Sequence, residues 1–399
     1  MKRSWTVLTA CLWLPACVEA PENPVPWGTQ ELEDDTSPVT DDSGSSKPVR
    51  RDASSSKPAS KDASTESSNA EEDATSEPVV EPVPEELPPG CEDDRTKLPE
   101  TLLCTGLFSD VAAKKLANDV EPFAPASPLW SDGAEKHRWI RLPGGQKIDT
   151  SDLGEWRFPV GTKAWKEFRV GGKRVETRIF YKVRGDRWLR GAYVWNADET
   201  EATFSFGGDI SVDGKSYYVP EQGECDDCHE GQADRLLGFT AVSLGLPGAE
   251  GISLTSLAEA GLLSDPPKTT ELSVGDDGTG LAAEALPLLH INCGVSCHND
   301  GPNATANGTD LALDLDPSLL NGKAPDARWS YQDTALGIAA KGSDFSRFLR
   351  IAAGDPGRSL VVRLMGTRSA DGKDQMPPIA SRVVDKPGIK LLEQWISRL

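Results

Sequence analysis

Between Trp130 and Val219, apolar and polar positions alternate in short runs separated by turn residues, the two-residue period of strands with one buried face. Phe168 and Val170, then Val175, Thr177, Ile179 and Tyr181, alternate with charged or polar neighbours on either side of Gly171-Gly172, which predicts a hairpin. The β-branched and aromatic runs at 188–195 and 202–206 predict a second pair, and Asp213-Gly214 ahead of Lys215 predicts a tight turn. Six to eight strands packed as a sandwich or barrel follow from this pattern. Six of the 11 tryptophans lie between Trp130 and Trp195, where burial in a β core accounts for them better than an exposed carbohydrate platform. Towards the C-terminus the period changes. Ile389, Leu392, Trp395, Ile396 and Leu399 recur at helical spacing.

Before residue 91 neither period is present. Residues 18–90 carry 18 acidic and 5 basic side chains, are rich in Ser and Pro, and hold few large apolar groups. Such a stretch cannot bury enough surface to offset its backbone entropy and is expected to be a disordered, extended linker. It accounts for most of the net charge of −21, a sign that argues against nucleic acid as a partner. The remaining 309 residues suffice for two domains, at about 100–200 residues each.

Residues 1–17 combine Lys2 and Arg3 with a short apolar run, too brief to span a bilayer, and end in Leu14-Pro15-Ala16-Cys17. This end resembles a bacterial lipobox and implies a lipoprotein signal peptide with Cys17 as the acylated residue. Pro15 departs from the small or aliphatic residue usual there. The expected location is the cell envelope, at the periplasmic or outer-membrane face, held to the membrane by the lipid. In an oxidising compartment, Cys91 and Cys104 are expected to form a disulfide, contributing about 3 kcal/mol for a loop near 15 residues.

Cys225-Asp226-Asp227-Cys228-His229 is C-x-x-C-H, the attachment pattern of a c-type haem. Two thiols about one helical turn apart reach the two vinyl groups of one porphyrin, and the next residue brings an imidazole to the iron. Cys293-Gly294-Val295-Ser296-Cys297-His298 repeats the pattern with one extra residue. On a regular α-helix the insertion moves the sulfurs about 1.5 Å further apart along the axis, so one of the two thioether bonds is in question at this site. Two haem c groups are therefore expected, the second on an atypical motif.

With only 4 His and 3 Met in the chain, the axial ligands are few. His229 and His298 are the expected proximal ligands. Met376, in Gln375-Met376-Pro377-Pro378, is the expected distal ligand of the second iron, while Met365 reads as core packing. For the first iron His290, His137 or an open position remain. His290 reads equally well as an ordinary imidazole, and His137, between Lys136 and Arg138, as a solvated one.

The order of haem cysteines after a helix at 281–290, a Met-bearing loop and a closing helix resembles the class I cytochrome c fold over the last third of the chain. More loosely, the β region with two Cys/His clusters is similar to a group of exported bacterial dihaem lipoproteins. These resemblances imply a multidomain α+β chain: a disordered tether at 18–90, a β-sandwich-like domain at 91–222, a haem-motif connecting region at 223–280, and an α-helical cytochrome c-like domain at 281–399. The implied activity is single-electron transfer with redox protein partners, from the first haem to a Met-ligated second one of higher potential. A dihaem peroxidase-like oxidoreductase with an open first haem is the alternative enzyme, although Asp226, Asp227 and Glu230 read more simply as a solvated acidic turn than as acid/base groups. A haem-free binding or adhesion lipoprotein, with the four cysteines as disulfides or zinc ligands, is the third reading.

Overall fold

The computed structural model describes residues 87–232, 234–321, 329–369 and 372–399. The signal peptide at 1–17, Cys17 and the linker up to residue 86 lie outside the described residues. The first strands are short: β1 (Phe108–Asp110) pairs with β2 (Lys115–Leu116). A seven-stranded antiparallel sheet then dominates. Six of its members are β3 (Glu121–Ala124), β4 (Glu135–Arg141), β5 (Lys163–Val170), β6 (Lys173–Arg184), β7 (Arg187–Trp195) and β8 (Ala202–Ser205). They lie in sequence order, each beside the next. Strands β9 (Gly208–Val212) and β10 (Lys215–Val219) form a separate hairpin, and β11 (Glu250–Gly251) joins the open edge of β3.

The alternation produces these pairings. Gly171 and Gly172, at φ of +58° and +80°, make the two-residue turn that lets Val170 face Lys173. Asp213 and Gly214, at +50° and +77°, do the same between β9 and β10.

The expected fold class is not what the chain adopts. Among the described residues the large sheet is a single layer, with no second sheet packed on it as a sandwich. Nor do the described residues form a separate helical cytochrome domain. The helices are short: α1 (Glu224–His229), α2 (Ala241–Gly245), α3 (Leu254–Glu259), α4 (Ala282–Leu289), α5 (Ser330–Thr334), α6 (Leu360–Met365) and α7 (Lys386–Ile396). Only α4 and α7 reach two turns, and α4 carries Pro287 within it. Helices of this length cannot enclose a core of their own, and a single sheet layer leaves both its faces to be covered; each deficit is met by the other. One cluster of buried side chains accordingly runs from Ile140, Phe180 and Trp188 of the sheet through Phe239 and Leu244 to Leu286, Met365, Trp395 and Ile396.

The opposite face, with Trp139, Trp165, Ile179, Tyr193 and Trp195, is covered by the segment bearing Leu102, Leu107 and Phe108. Trp165 Nε1 donates to Thr105 Oγ1 at 3.1 Å. The Cys91–Cys104 disulfide, with 5.1 Å between Cα atoms, closes this covering segment. Among the described residues no helix is long and apolar enough to cross a membrane.

Candidate functional site

The first Cys/His motif lies on the helix-covered face of the sheet. Helix α1 carries Cys225, Cys228 and His229, and the imidazole of His229 stacks on Phe180 of β6 at 4.2 Å between centroids. Asp226, inside the motif, accepts from Arg190 of β7 and, at 2.8 Å, from Arg235. It is thus a tie between helix and sheet rather than a solvated acid.

The ring nitrogens of His229 can be told apart. Nδ1 lies 2.6 Å from the carbonyl oxygen of Arg235. A carbonyl only accepts, so Nδ1 carries the proton and Nε2 keeps its lone pair. Burial holds the ring neutral, pulling its pKa down to about 3. Arg235 sits in the left-handed region, at φ +61°. Its neighbour Asp234, 4% exposed, fixes this loop: the carboxylate accepts from Lys182 Nζ at 2.5 Å, from Trp188 Nε1 at 2.8 Å and from the Phe158 amide.

The second motif begins where α4 ends. Residues His290–Gly294 form a π-turn, with the Val295 amide donating to the His290 carbonyl at 2.9 Å and the His298 amide to that of Cys293 at 2.8 Å, both five residues apart. A π-turn places more residues in each turn than an α-helix. The first cysteine of the pair lies in this wider turn. Gly294 is required here, because a Cβ would meet the Asp314 backbone nitrogen at 2.5 Å.

His298, 7% exposed, is also held neutral by burial, to about 4. Its Nδ1 lies 3.4 Å from Thr309 Oγ1, whose own proton goes to the Ala306 carbonyl at 2.8 Å. The hydroxyl therefore accepts from the imidazole, and again Nε2 is left with its lone pair. His290 has the opposite tautomer. The Leu315 amide donates to its Nδ1 at 2.9 Å, so Nε2 holds the proton, and that atom is buried without a partner among the described residues. His137 stands on the far face of the sheet, stacked on Trp139, with Nε2 2.7 Å from Glu135.

The two motifs touch. A Cβ on Gly231 would lie 1.9 Å from the Ser296 carbonyl oxygen, and Gln232 Nε2 donates to the Val295 carbonyl at 2.9 Å. All four motif cysteines are free thiols, in contrast to Cys91 and Cys104. Burial raises the Cys228 thiol to about 11, with the nearby Cys297 adding to the shift, and the Cys293 thiol to about 12. Thiols so protonated are poor partners for disulfide exchange at neutral pH. Among the described residues no three His, Cys, Asp or Glu side chains are clustered as a metal ion requires.

Met376 is half-buried on the loop after α6, its amide donating to the Leu364 carbonyl at 3.0 Å, and Met365 is packed in the core. Trp130-Ser131-Asp132-Gly133, whose purpose is illegible in the chain, joins this loop to the second motif. The Trp130 amide donates to Asn292 Oδ1 at 2.7 Å and its Nε1 to the Val383 carbonyl at 2.9 Å. Asp132 accepts from Ser381 Oγ at 3.0 Å and from the amides of Arg382 and Val383 at 2.8 and 3.1 Å. Asp132→Ala should therefore release the Met376 loop. The expected result is faster amide hydrogen exchange at Met376 and at 381–383, with His229 and its surroundings unaffected; unchanged exchange in Asp132→Ala refutes the clamp.

Asp314, beside Gly294, has its pKa raised to about 6 by burial, with Asp300 and Asp316 adding to the shift. The folded state binds this proton more tightly than the unfolded chain, so stability should fall as pH rises from about 4 through about 6. Asp314→Asn is expected to raise the denaturation midpoint at pH 8 and to leave it unchanged near pH 4, read by chemical denaturation at both values.

Comparison with protein-family models, with curated proteins and with solved structures finds no match.

Proposed function

We propose that the chain is a c-type cytochrome that exchanges single electrons with redox protein partners, with a porphyrin held on each Cys/His motif. The observation that carries this reading is the pair of imidazoles. Each trails a pair of free thiols, and each has its Nδ1 proton engaged by an oxygen, the arrangement that fixes an Nε2 lone pair for an iron. Cys225 and Cys228 would hold one porphyrin with His229 as proximal ligand. Cys293 and Cys297 would hold the other with His298, and Met376 is its proposed distal ligand. A porphyrin iron so bound supplies a reversible one-electron couple.

The residues present do the positioning. Arg235 and Thr309 hold the two imidazole tautomers, Phe180 supports the His229 ring, and the contact of Gly231 with Ser296 keeps the motifs together. Of the two remaining histidines, His290 carries its ring proton on Nε2 and His137 stands across the sheet. Export and membrane attachment through Cys17 belong to the same proposal, supported by the lipobox-like segment and by a disulfide of the kind that persists in oxidising compartments.

The test is a pyridine haemochrome assay with intact mass on protein matured in a cytochrome-competent host. Two covalent porphyrins per chain are expected. Cys225→Ser with Cys228→Ser, and Cys293→Ser with Cys297→Ser, should each remove one. Colourless protein of unmodified mass would overturn the reading.

A further inference from the structure

The register of the sheet sets cations side by side on the face that carries the first motif. Arg138 of β4 is directly opposite Lys166 of β5, and Lys166 is directly opposite Arg178 of β6. Like charges in such positions repel and destabilise a sheet unless something compensates them. Arg178 is compensated, since Glu176 accepts from its Nε at 3.0 Å and its Nη2 at 2.6 Å. Lys136, two residues before Arg138, is satisfied by the Leu129 carbonyl and Ser131 Oγ. Arg138 and Lys166 are not compensated. Among the described residues the guanidinium of Arg138, a residue 8% exposed, has no hydrogen bond or ion pair. The ammonium of Lys166 has only the face of Phe168, 4.9 Å from Nζ, and Arg178 uses the same ring at 4.3 Å.

A guanidinium does not shed its proton at neutral pH, so Arg138 stays charged where it is buried, and a buried charge is costly without one of opposite sign. Burial draws its pKa down to about 10, the direction expected of a cation held without a counter-charge. Lys166, one strand spacing away at about 4.8 Å, adds to the cost. The carboxylate of the group is already engaged, because Glu176 also accepts from the Tyr217 hydroxyl at 2.7 Å.

A porphyrin held at Cys225 and Cys228 would not supply the counter-charge. Thiols take the vinyl groups on one edge of a porphyrin, and its carboxylates stand on the opposite edge. Lys166 lies on the thiol side, since no other cation acts more strongly on Cys228 or on His229. The two uncompensated side chains also specify the chemistry of their ligand. A guanidinium presents a planar fork that takes two oxygens at once, and an ammonium takes a third as a point charge. Three oxygens about one negatively charged centre describe a phosphate-type oxyanion, whereas a halide offers one atom to a fork built for two.

We propose that Arg138 and Lys166 form a binding site for a free inorganic oxyanion of the phosphate type, beside the first Cys/His motif. The site goes beyond the cytochrome reading and stands without it, because neither residue belongs to a motif and both are placed by the pairing of β4 with β5. A bound oxyanion relieves the repulsion across that pairing and so stabilises it.

The test is calorimetric titration of the full chain with inorganic phosphate at neutral pH and fixed ionic strength, the balance made up with chloride. One saturable site per chain is expected. Arg138→Met and Lys166→Met should each weaken binding about tenfold or more, the scale of one charge-assisted hydrogen bond, and Arg138→Lys should recover part of the loss. A second measurement needs no variant to fold: phosphate should raise the denaturation midpoint of the wild type and slow amide exchange along β4 and β5. The Cys225→Ser, Cys228→Ser chain, which can take no porphyrin at this motif, should bind phosphate as the wild type does.

No saturable binding to the wild type, or binding of equal strength in folded methionine variants, overturns the site. Binding by the serine chain but not by porphyrin-bearing wild type overturns it as well, by showing that the porphyrin's own carboxylates fill the place. Wild type that binds phosphate but carries no covalent porphyrin overturns the cytochrome reading and leaves the site standing.

Discussion

Asp234→Ala should destabilise the folded chain by about 3–5 kcal/mol, the range for removing one partner of a buried ion pair. Asp234 and Lys182 are 4% and 5% exposed, so the ammonium left behind cannot turn to solvent. The Trp188 indole N–H and the Phe158 amide lose their acceptor in the same step. Asp234 adjoins Arg235, whose carbonyl fixes the His229 tautomer, so the loss reaches the first motif as well. Asp234→Asn keeps an acceptor for some of these donors and should cost less. Chemical denaturation measures both, and an Asp234→Ala stability within about 1 kcal/mol of wild type would contradict the account.

Gly231→Ala is expected to act on the contact between the two motifs. The added Cβ falls 1.9 Å from the Ser296 carbonyl oxygen and 2.6 Å from its carbon. These are backbone atoms, so no rotamer relieves the overlap and one segment must move. Overpacking of this kind costs about 1–3 kcal/mol, and the displacement should break the Gln232–Val295 hydrogen bond. Both motifs keep their cysteines and histidines, so the proposed function expects two covalent porphyrins per chain in this variant too. On that proposal, electron exchange between the two centres, followed by rapid mixing after partial reduction, should slow. Exchange at the wild-type rate in a destabilised variant would show that the contact is structural and does not set the separation of the centres.

Both residues escape a reading of the chain alone. Asp234 stands in a polar stretch after His229, and nothing local marks it as buried; its partners Lys182 and Trp188 are 52 and 46 residues away. Gly231 reads as an ordinary turn glycine. Asp132 gives no local sign of the amides it holds some 250 residues on. The Cys/His motifs are visible in the chain because their thiols and imidazoles are neighbours within a few residues. The hairpins at Gly171-Gly172 and Asp213-Gly214 were legible because turn residues and alternation act over the same short range.

The misreading of the fold has the same origin. The helical spacing read at 387–399 and the helix read at 281–290 fall on α7 and α4, and these two helices do pack together. Their apolar faces do not say whether the rest of the core comes from other helices or from a sheet. Here it comes from Ile140, Phe180 and Trp188, so a helical domain inferred from two helices and a Met loop dissolves into the cover of a sheet.

Local chemistry therefore reveals which thiols and imidazoles are available and where strands turn, since those properties are set by neighbours along the chain. Which imidazole nitrogen bears the proton, and which cation lacks a partner, follow from contacts between distant segments. Leu315 sets the tautomer of His290 from 25 residues away. Arg138 meets Lys166 only in the pairing register of β4 with β5. A slip of one residue would send either side chain to the opposite face, so that juxtaposition exists only once the sheet has closed.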